Sequence, residues 1–189
     1  MPEMRKVKEE GREEKDTTRM MGKKLHVLQK MKKEAGSLDE CTEEGKGKWK
    51  CISIAVDSGA CDNVIPPQEL PGYEDRIEET KASKNGEDFV SASGDVIPNY
   101  GEVKVPVVTR EMTMRGMLFQ AAGVAKPLGS VKKMLMAGHR VVFDSEMSFI
   151  LNKATGETNV LREEDGKFLL DVWVPPPEVA EAAGFARHP

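Results

Sequence analysis

The fold is decided by the stretch Ile54-Ala55-Val56-Asp57-Ser58-Gly59-Ala60. A short apolar run ends on an aspartate, and a small hydroxyl residue, a glycine and an alanine follow at once. The apolar run predicts a strand, Ser58 can form a local hydrogen bond, and Gly59 permits a tight turn. A strand that ends in an Asp-Ser-Gly turn is also common in β proteins of any function. The residues of this loop alone do not distinguish a catalytic aspartate from a structural turn, so the rest of the sequence has to be considered.

Length and composition indicate one domain of ordinary size with polar extensions. The chain has 189 residues, of which 32% are charged, and its net charge of −4 favours neither nucleic acid nor a membrane as partner. The charged segment Met1–Glu14 lacks the apolar centre of a secretion signal. Because Cys41, Cys51 and Cys61 form no even disulfide set, we expect a reducing intracellular compartment, the cytoplasm or the nucleus. A metal site built from these cysteines and His26 has little support in their spacing, and no cofactor is expected.

Three regions differ in composition. Residues 1–48 are rich in Lys and Glu and form a charged extension, either a solvated linker or partly helical from about Thr18 to Ala35. Residues 49–174 form the predicted domain, and residues 175–189 form a Pro/Ala-rich tail. The basic cluster at 30–33 is the one route to nucleic acid, but no aromatic residues interleave with it. An RNA- or protein-binding adaptor that acts through the extension is one alternative function.

From Trp49 onward the chain reads as many short strands. Val103, Val105 and Val107 alternate along the longest of them, and Pro106 predicts that one edge of this strand is not fully paired. Turn residues separate the strands, which indicates a closed β domain with one short helix. Strands are predicted at Trp49–Val56, Phe89–Ala92, Val96–Ile97, Tyr100–Thr109, Met112–Gln120, His139–Phe143, Ser148–Asn152, Asn159–Arg162 and Lys167–Val174, the helix at Ser130–Ala137, and a small Ala-rich, helix-compatible tail at Val179–Ala186.

Residues 49–174 resemble the retropepsin-like aspartic protease region of Copia-type (Ty1/Copia) retrotransposon polyproteins. The resemblance implies an acid-protease β barrel. Pro127 departs from the family pattern, which usually has an apolar or polar strand residue at this position. A proline cannot donate a hydrogen bond to a strand ladder. The matching pieces are, in order, the catalytic loop Val56–Ala60, the flap Ser91–Pro98 with Gly101–Val103, the strand and helix Pro127–Gly138, and the segments His139–Asp144, Asn152–Gly156 and Gly166–Asp171, which are similar to the junction between protease and integrase.

The resemblance implies a catalytic Asp57 and an endopeptidase that acts on a peptide or polyprotein. Aspartic proteases use two carboxylates that share one proton. Asp62 and Asp95 lack the apolar run and the small residues that surround Asp57, so we expect a homodimer in which each copy supplies one Asp57. The implied active-site loop is Ser58, Gly59 and Ala60, and the implied flap and substrate-binding residues are Ser93, Gly94, Tyr100 and Gly101.

Two bland alternatives stay open. The domain could be a catalytically inactive retropepsin-like remnant or a domesticated binding module, and Tyr100 could be an ordinary exposed aromatic at a strand end. A cysteine hydrolase is disfavoured, because the sequence places no histidine base beside Cys61. His139 follows a helix-ending glycine and is interpreted as either a surface residue or a hydrogen-bonded loop residue, rather than a catalytic base.

Overall fold

The structure, a computed structural model, describes residues 49–70 and 72–185. The chain divides into two units, and Glu43–Pro177 contains all the described strands. The predicted helix Thr18–Ala35, His26 and Cys41 lie outside the described residues. Within the described part, no helix is both long and apolar enough to cross a membrane.

The domain is mainly β, as predicted, with several short helices. The α-helices are α1 (Lys81–Lys84), α2 (Val131–Met136) and α3 (Pro177–Ala182), and two 3-10 helices lie at Pro67–Glu69 and Glu74–Arg76. The strands are β1 (Lys50–Asp57), β2 (Val64–Ile65), β3 (Phe89–Val90), β4 (Val96–Ile97), β5 (Asn99–Thr109), β6 (Met114–Ala122), β7 (Leu128–Ser130), β8 (His139–Val142), β9 (Phe149–Asn152), β10 (Thr158–Val160), β11 (Arg162–Glu164) and β12 (Lys167–Val174).

Seven strands form one ring-like sheet. Their order is β1-β7-β2-β6-β5-β12-β11, and β12 pairs again with β1. The β1–β7 and β2–β6 pairs are parallel, whereas β12 runs antiparallel to both β1 and β5. Strands β8, β9 and β10 form a second sheet, and β3 with β4 forms a separate hairpin. The expected closed β arrangement is therefore present as a ring of paired strands.

Alternating apolar side chains of the ring build one core. In β1, Ile52, Ile54 and Val56 are buried while Ser53 and Asp57 are exposed. Strands β5 and β12 show the same alternation over part of their length, and the largest fully buried side chains are Tyr73 and Phe119. A period of two with one buried face is what a strand packed on a core requires. The core therefore fixes the register of β1 and, with it, the position where Asp57 leaves the sheet.

Pro127 and Pro106 lie at positions where the sheet does not need a backbone N–H donor. Pro127 immediately precedes β7, and its carbonyl accepts the N–H of Ala55 at 3.1 Å, so the ladder continues through an acceptor. Pro106 lies inside β5. Among the described strands, the edge of β5 that faces β12 is paired at Val108 and Thr109 alone, which confirms the predicted incomplete edge.

The prediction of one short helix in the domain was wrong. Helix α2 confirms the predicted helix, but α1 and two 3-10 turns also form between β2 and β3. Thr80 and Ser83 form a capping box at the start of α1, and this short-range pattern stabilises a single turn of helix. Pro67 begins a 3-10 turn, because its fixed φ suits the first position of a helix.

The predicted strand Asn159–Arg162 was also wrong in extent. The chain divides there into β10, which pairs with β9, and β11, which pairs with β12. Leu161 lies between them, is 5% exposed, and donates its N–H to the Ser148 carbonyl. Burial of Leu161 in the core redirects the chain from one sheet to the other.

A charged cluster clamps the outer face of β1 to β12. Ser53 Oγ donates to Asp171 Oδ1 at 2.7 Å, and Arg162 donates to both Asp171 oxygens at 2.8 and 3.1 Å. Burial of Asp171, whose side chain is 10% exposed, opposes ionisation. The hydrogen bonds from Arg162 and Ser53 and the charges of Arg162 and Arg110 outweigh that effect, so the pKa of Asp171 lies below its usual value.

The clamp predicts a pH-dependent stability. A carboxyl whose pKa is lowered by folding stabilises the protein above its unfolded pKa, about 4, and this contribution is lost as the pH falls through the folded pKa. We expect Asp171→Asn to lower the free energy of unfolding by about 1–3 kcal/mol at pH 7. In urea titrations, the gap to the unsubstituted protein should close below about pH 4.

Asp165→Asn is the matched control for this prediction. Asp165 is an exposed carboxylate in the turn between β11 and β12, and asparagine tolerates its φ of 51°. This variant should change the stability little at any pH. A gap for Asp171→Asn that stayed constant down to pH 2 would contradict the clamp.

Candidate active site

Asp57 is the last residue of β1 and its side chain is exposed. The strand delivers the carboxylate to the surface because the preceding Val56 is buried in the core. The N–H of Gly59 donates to Asp57 Oδ1 at 2.7 Å, which holds the carboxylate over its own turn. The second oxygen, Oδ2, has no hydrogen-bond partner among the described residues. One oxygen is thus fixed and the other faces solvent.

Gly59 fits the limited space beside that carboxylate. A Cβ on Gly59 would lie 3.3 Å from Asp57 Oδ1, which is tighter than most contacts of real Cβ atoms. A side chain there would press on the acceptor of the turn's own hydrogen bond. The absence of a side chain at residue 59 therefore permits the close approach of its backbone to the carboxylate.

The loop after Asp57 is anchored from behind by Ser130. Strand β7 runs parallel to β1 and places Ser130 opposite Asp57. Ser130 is fully buried, and its Oγ donates to the Ala60 carbonyl at 2.6 Å while accepting the N–H of Lys133 at the start of α2. One hydroxyl therefore connects the Asp57 loop to the helix. Asn63 adds a second anchor, since its Oδ1 accepts the N–H of Ser130 at 2.9 Å.

The roles of Ser130 and Asn63 were not predicted from sequence. The one available signal was a serine directly before the apolar residues of a helix, which is typical of an N-cap. That signal does not report that the same hydroxyl contacts Ala60, 70 residues earlier in the chain.

Asp62 has a structural partner. Its Oδ1 lies 2.7 Å from Lys133 Nζ, and both side chains are partly exposed. Asp62 thus lies at the surface beside α2. The ion pair adds a link between the loop and α2, of modest strength because water screens it.

The segment that the resemblance compares with a flap overlaps a two-stranded hairpin. Strand β3 pairs with β4 through Phe89↔Ile97 and Val90↔Val96. The tip at residues 91–95 contains Ser93 and Gly94, the Gly94 N–H donates to the Ser91 carbonyl, and Gly94 has a φ of 89°. The side chains of Val90 and Val96 are 69% and 67% exposed, so the hairpin presents an uncovered apolar pair.

Tyr100 and Gly101 lie in β5 rather than in the β3–β4 hairpin. Gly101 is buried with a φ of 124°, and a Cβ there would lie 2.3 Å from the Glu78 carbonyl oxygen. The backbones of Glu78 and Glu102 exchange two hydrogen bonds of 2.8 Å at this point. Close approach of two backbones explains the glycine.

Tyr100 is 47% exposed and lines an open groove of about 430 Å³. The groove mixes apolar and amide groups, and Asp57 is not among its lining residues. These are Pro67, Gln68, Ile77, Tyr100, Ala122, Gly123 and Val124. The tyrosine is therefore placed where it can contact a ligand of the groove, while the carboxylate lies elsewhere on a single chain.

The other reactive side chains form no second centre in the described part of the chain. Cys61 is exposed, and His139 lies in β8 with Nδ1 3.3 Å from the Met134 carbonyl oxygen. His139 is therefore a strand residue with a backbone contact rather than the predicted loop residue. Among the described residues, no group of three or more His, Cys, Asp or Glu side chains could hold a metal ion.

Comparison with known proteins adds no relative: no family model matches the chain, and neither a curated protein nor a solved structure does.

Proposed function

We propose that this chain is an aspartic endopeptidase of the retroelement type, active as a homodimer. One observation carries the proposal: an exposed carboxylate, Asp57, stands at the end of a buried strand in a ring-like β sheet, held by the N–H of Gly59. The loop behind it is fixed by Ser130. A rigid loop that presents one carboxylate to the surface suits a site that a second copy completes.

The proposed reaction needs both copies. Two carboxylates held about 3 Å apart share one proton, because like charges that close do not both ionise. The ionised carboxylate takes a proton from a bound water, and that water attacks the scissile carbonyl carbon. The protonated carboxylate donates a hydrogen bond, and then its proton, to the carbonyl oxygen as the tetrahedral intermediate forms. The carboxyl that took the proton from water passes it to the amide nitrogen, one hydroxyl of the intermediate returns its proton to the other carboxylate, and the C–N bond breaks to release the amine and the new carboxyl end. In this proposal Ser58 braces the loop against its counterpart, and Gly59 lies along the substrate backbone.

The hairpin β3–β4 is the proposed flap. Its apolar pair, Val90 and Val96, is uncovered in a single chain, and closure over a peptide would shield the pair and exclude water from the reaction. Ser93 and Gly94 at the tip would contact the peptide backbone. Tyr100 would contact the substrate through the groove that it lines.

The second candidate is a non-catalytic retropepsin-like module that binds a peptide. The separation of the groove from Asp57 favours it, because a ligand of the groove does not require the carboxylate. A strictly monomeric protein has no second Asp57 carboxylate at the site, so it would bind a peptide without cleaving it.

Oligomeric state distinguishes the two candidates. Sedimentation equilibrium of the full chain at micromolar concentrations should give a reversible monomer–dimer equilibrium, because the proposed site is isologous and incomplete without its twin. A single monomeric mass at every concentration up to about 100 µM, a hundredfold above a micromolar dissociation constant, would exclude the dimeric protease.

A further inference from the structure

The strand that carries Asp57 depends on the far C-terminal part of the domain. Strand β7 pairs with β1 at Ala55–Asp57, next to the catalytic loop. The register of β12 against β1 runs from Lys50↔Val174 to Ala55↔Leu169. Among the described residues, the first five positions of β1 therefore have β12 as their strand partner and no other.

Strand β12 lies between β1 and β5 and runs antiparallel to both. On one edge it pairs with β1, and on the other it pairs with β5 through Val172↔Thr109 and Trp173↔Val108. Three of its side chains point into the core and are 6%, 0% and 2% exposed, at Leu170, Val172 and Val174 respectively. The strand closes the ring, and its removal would open two sheet edges and uncover the core.

The chain that leads to β12 belongs to the same core. Ile150 in β9 and Leu161 after β10 are each 5% exposed and are members of the cluster that contains Ile54 and Val56. Outside the core, Asp171 joins β12 to Ser53 of β1. The segment that the family resemblance compares with a junction between two enzymes is thus packed into the domain itself.

We propose that residues 138–174 are an integral part of the domain, and that β12 is the built-in partner that holds the Asp57 strand in place. The consequence for processing rests on the proposed function. A cut that releases an active protease lies before Lys50 or after Val174, and a cut between α2 and β12 followed by loss of the C-terminal piece abolishes the site.

The test uses the full chain with a recognition sequence for a sequence-specific protease inserted between Ala154 and Thr155. This position lies in the exposed turn between β9 and β10. The cut chain is compared with the same protein left uncut by size-exclusion chromatography and by amide hydrogen exchange of Ile52 and Ile54 across a urea series.

We expect the two fragments to elute together without urea. We also expect the C-terminal fragment to dissociate in the same urea range in which the Ile52 and Ile54 amides lose protection, at lower urea than for the uncut protein. Release of the fragment from a domain that keeps these amides protected would overturn the proposal. This test reads fragment dissociation and amide protection, not peptide cleavage. It therefore stays valid even if the protein has no protease activity, a result that would count only against the proposed function.

Discussion

Asp57→Asn should abolish peptide cleavage while leaving the fold intact. The substitution keeps the size of the side chain and its ability to accept the Gly59 N–H, but it removes the group that takes the proton from water. We expect cleavage of a peptide library at mildly acid pH to fall by about 10³-fold or more. Because Asp57 is exposed, the urea midpoint should stay within the range of a surface substitution.

Asp62→Asn is the matched control. Asp62 lies five residues later in the same loop region and forms an ion pair with Lys133, so the variant removes a nearby charge without touching the proposed catalytic group. Its cleavage rate should stay within about threefold of the unsubstituted protein, as a screened surface ion pair contributes at most about 1 kcal/mol. Equal rates for Asp57→Asn and the unsubstituted chain would refute the catalytic assignment.

Gly101→Ala should strongly destabilise the domain. The added Cβ would lie 2.3 Å from the Glu78 carbonyl oxygen, and the φ of 124° is unfavourable for any L side chain. Either the paired backbones of Glu78 and Glu102 separate or the strand shifts. We expect the free energy of unfolding in urea to fall by about 2–5 kcal/mol.

Gly86→Ala separates the clash from the backbone conformation. Gly86 also has a positive φ, 69°, but its Cβ would meet nothing within 4 Å. This variant should cost about 1 kcal/mol, the typical penalty of a left-handed conformation alone. Similar costs for the two variants would show that the close approach to Glu78 does not exist.

Local patterns predicted much of the fold. The alternation of apolar residues identified β1 and β5 within one or two residues, and the predicted helix Ser130–Ala137 matches α2. Short-range rules suffice for the two strands, because each buries alternate side chains in a single core. The hairpin at residues 89–97 was likewise predicted from its turn residues.

Long-range contacts were the part that sequence reasoning missed. Leu161 lies where the predicted strand Asn159–Arg162 divides between two sheets, and no periodicity reports which sheet a residue joins. Gly101 was predicted as a flap residue, yet its conformation is explained by the close approach of Glu78, which forms an isolated β-bridge with Glu102. The pairing of β12 with β1 joins residues more than 100 positions apart, and such pairing depends on the whole core rather than on local propensity.

In the candidate site, too, the local residues were predicted from sequence and the long-range contacts were not. Asp57, Ser58 and Gly59 were identified from consecutive residues, and the structure places them together in one loop. The Ser130 hydroxyl that anchors Ala60 arrives through the parallel pairing of β1 with β7. Whether a second Asp57 faces the first depends on another molecule, which no pattern within one chain encodes.

Mixing the unsubstituted chain with Asp57→Asn tests the shared site most directly. If each site needs a carboxylate from both copies and the chains exchange freely, a 1:1 mixture at fixed total concentration retains about one quarter of the cleavage rate, because that is the fraction of dimers with two Asp57 residues. A rate of about one half, proportional to the unsubstituted chain alone, would mean that one chain carries a complete site and would contradict the account.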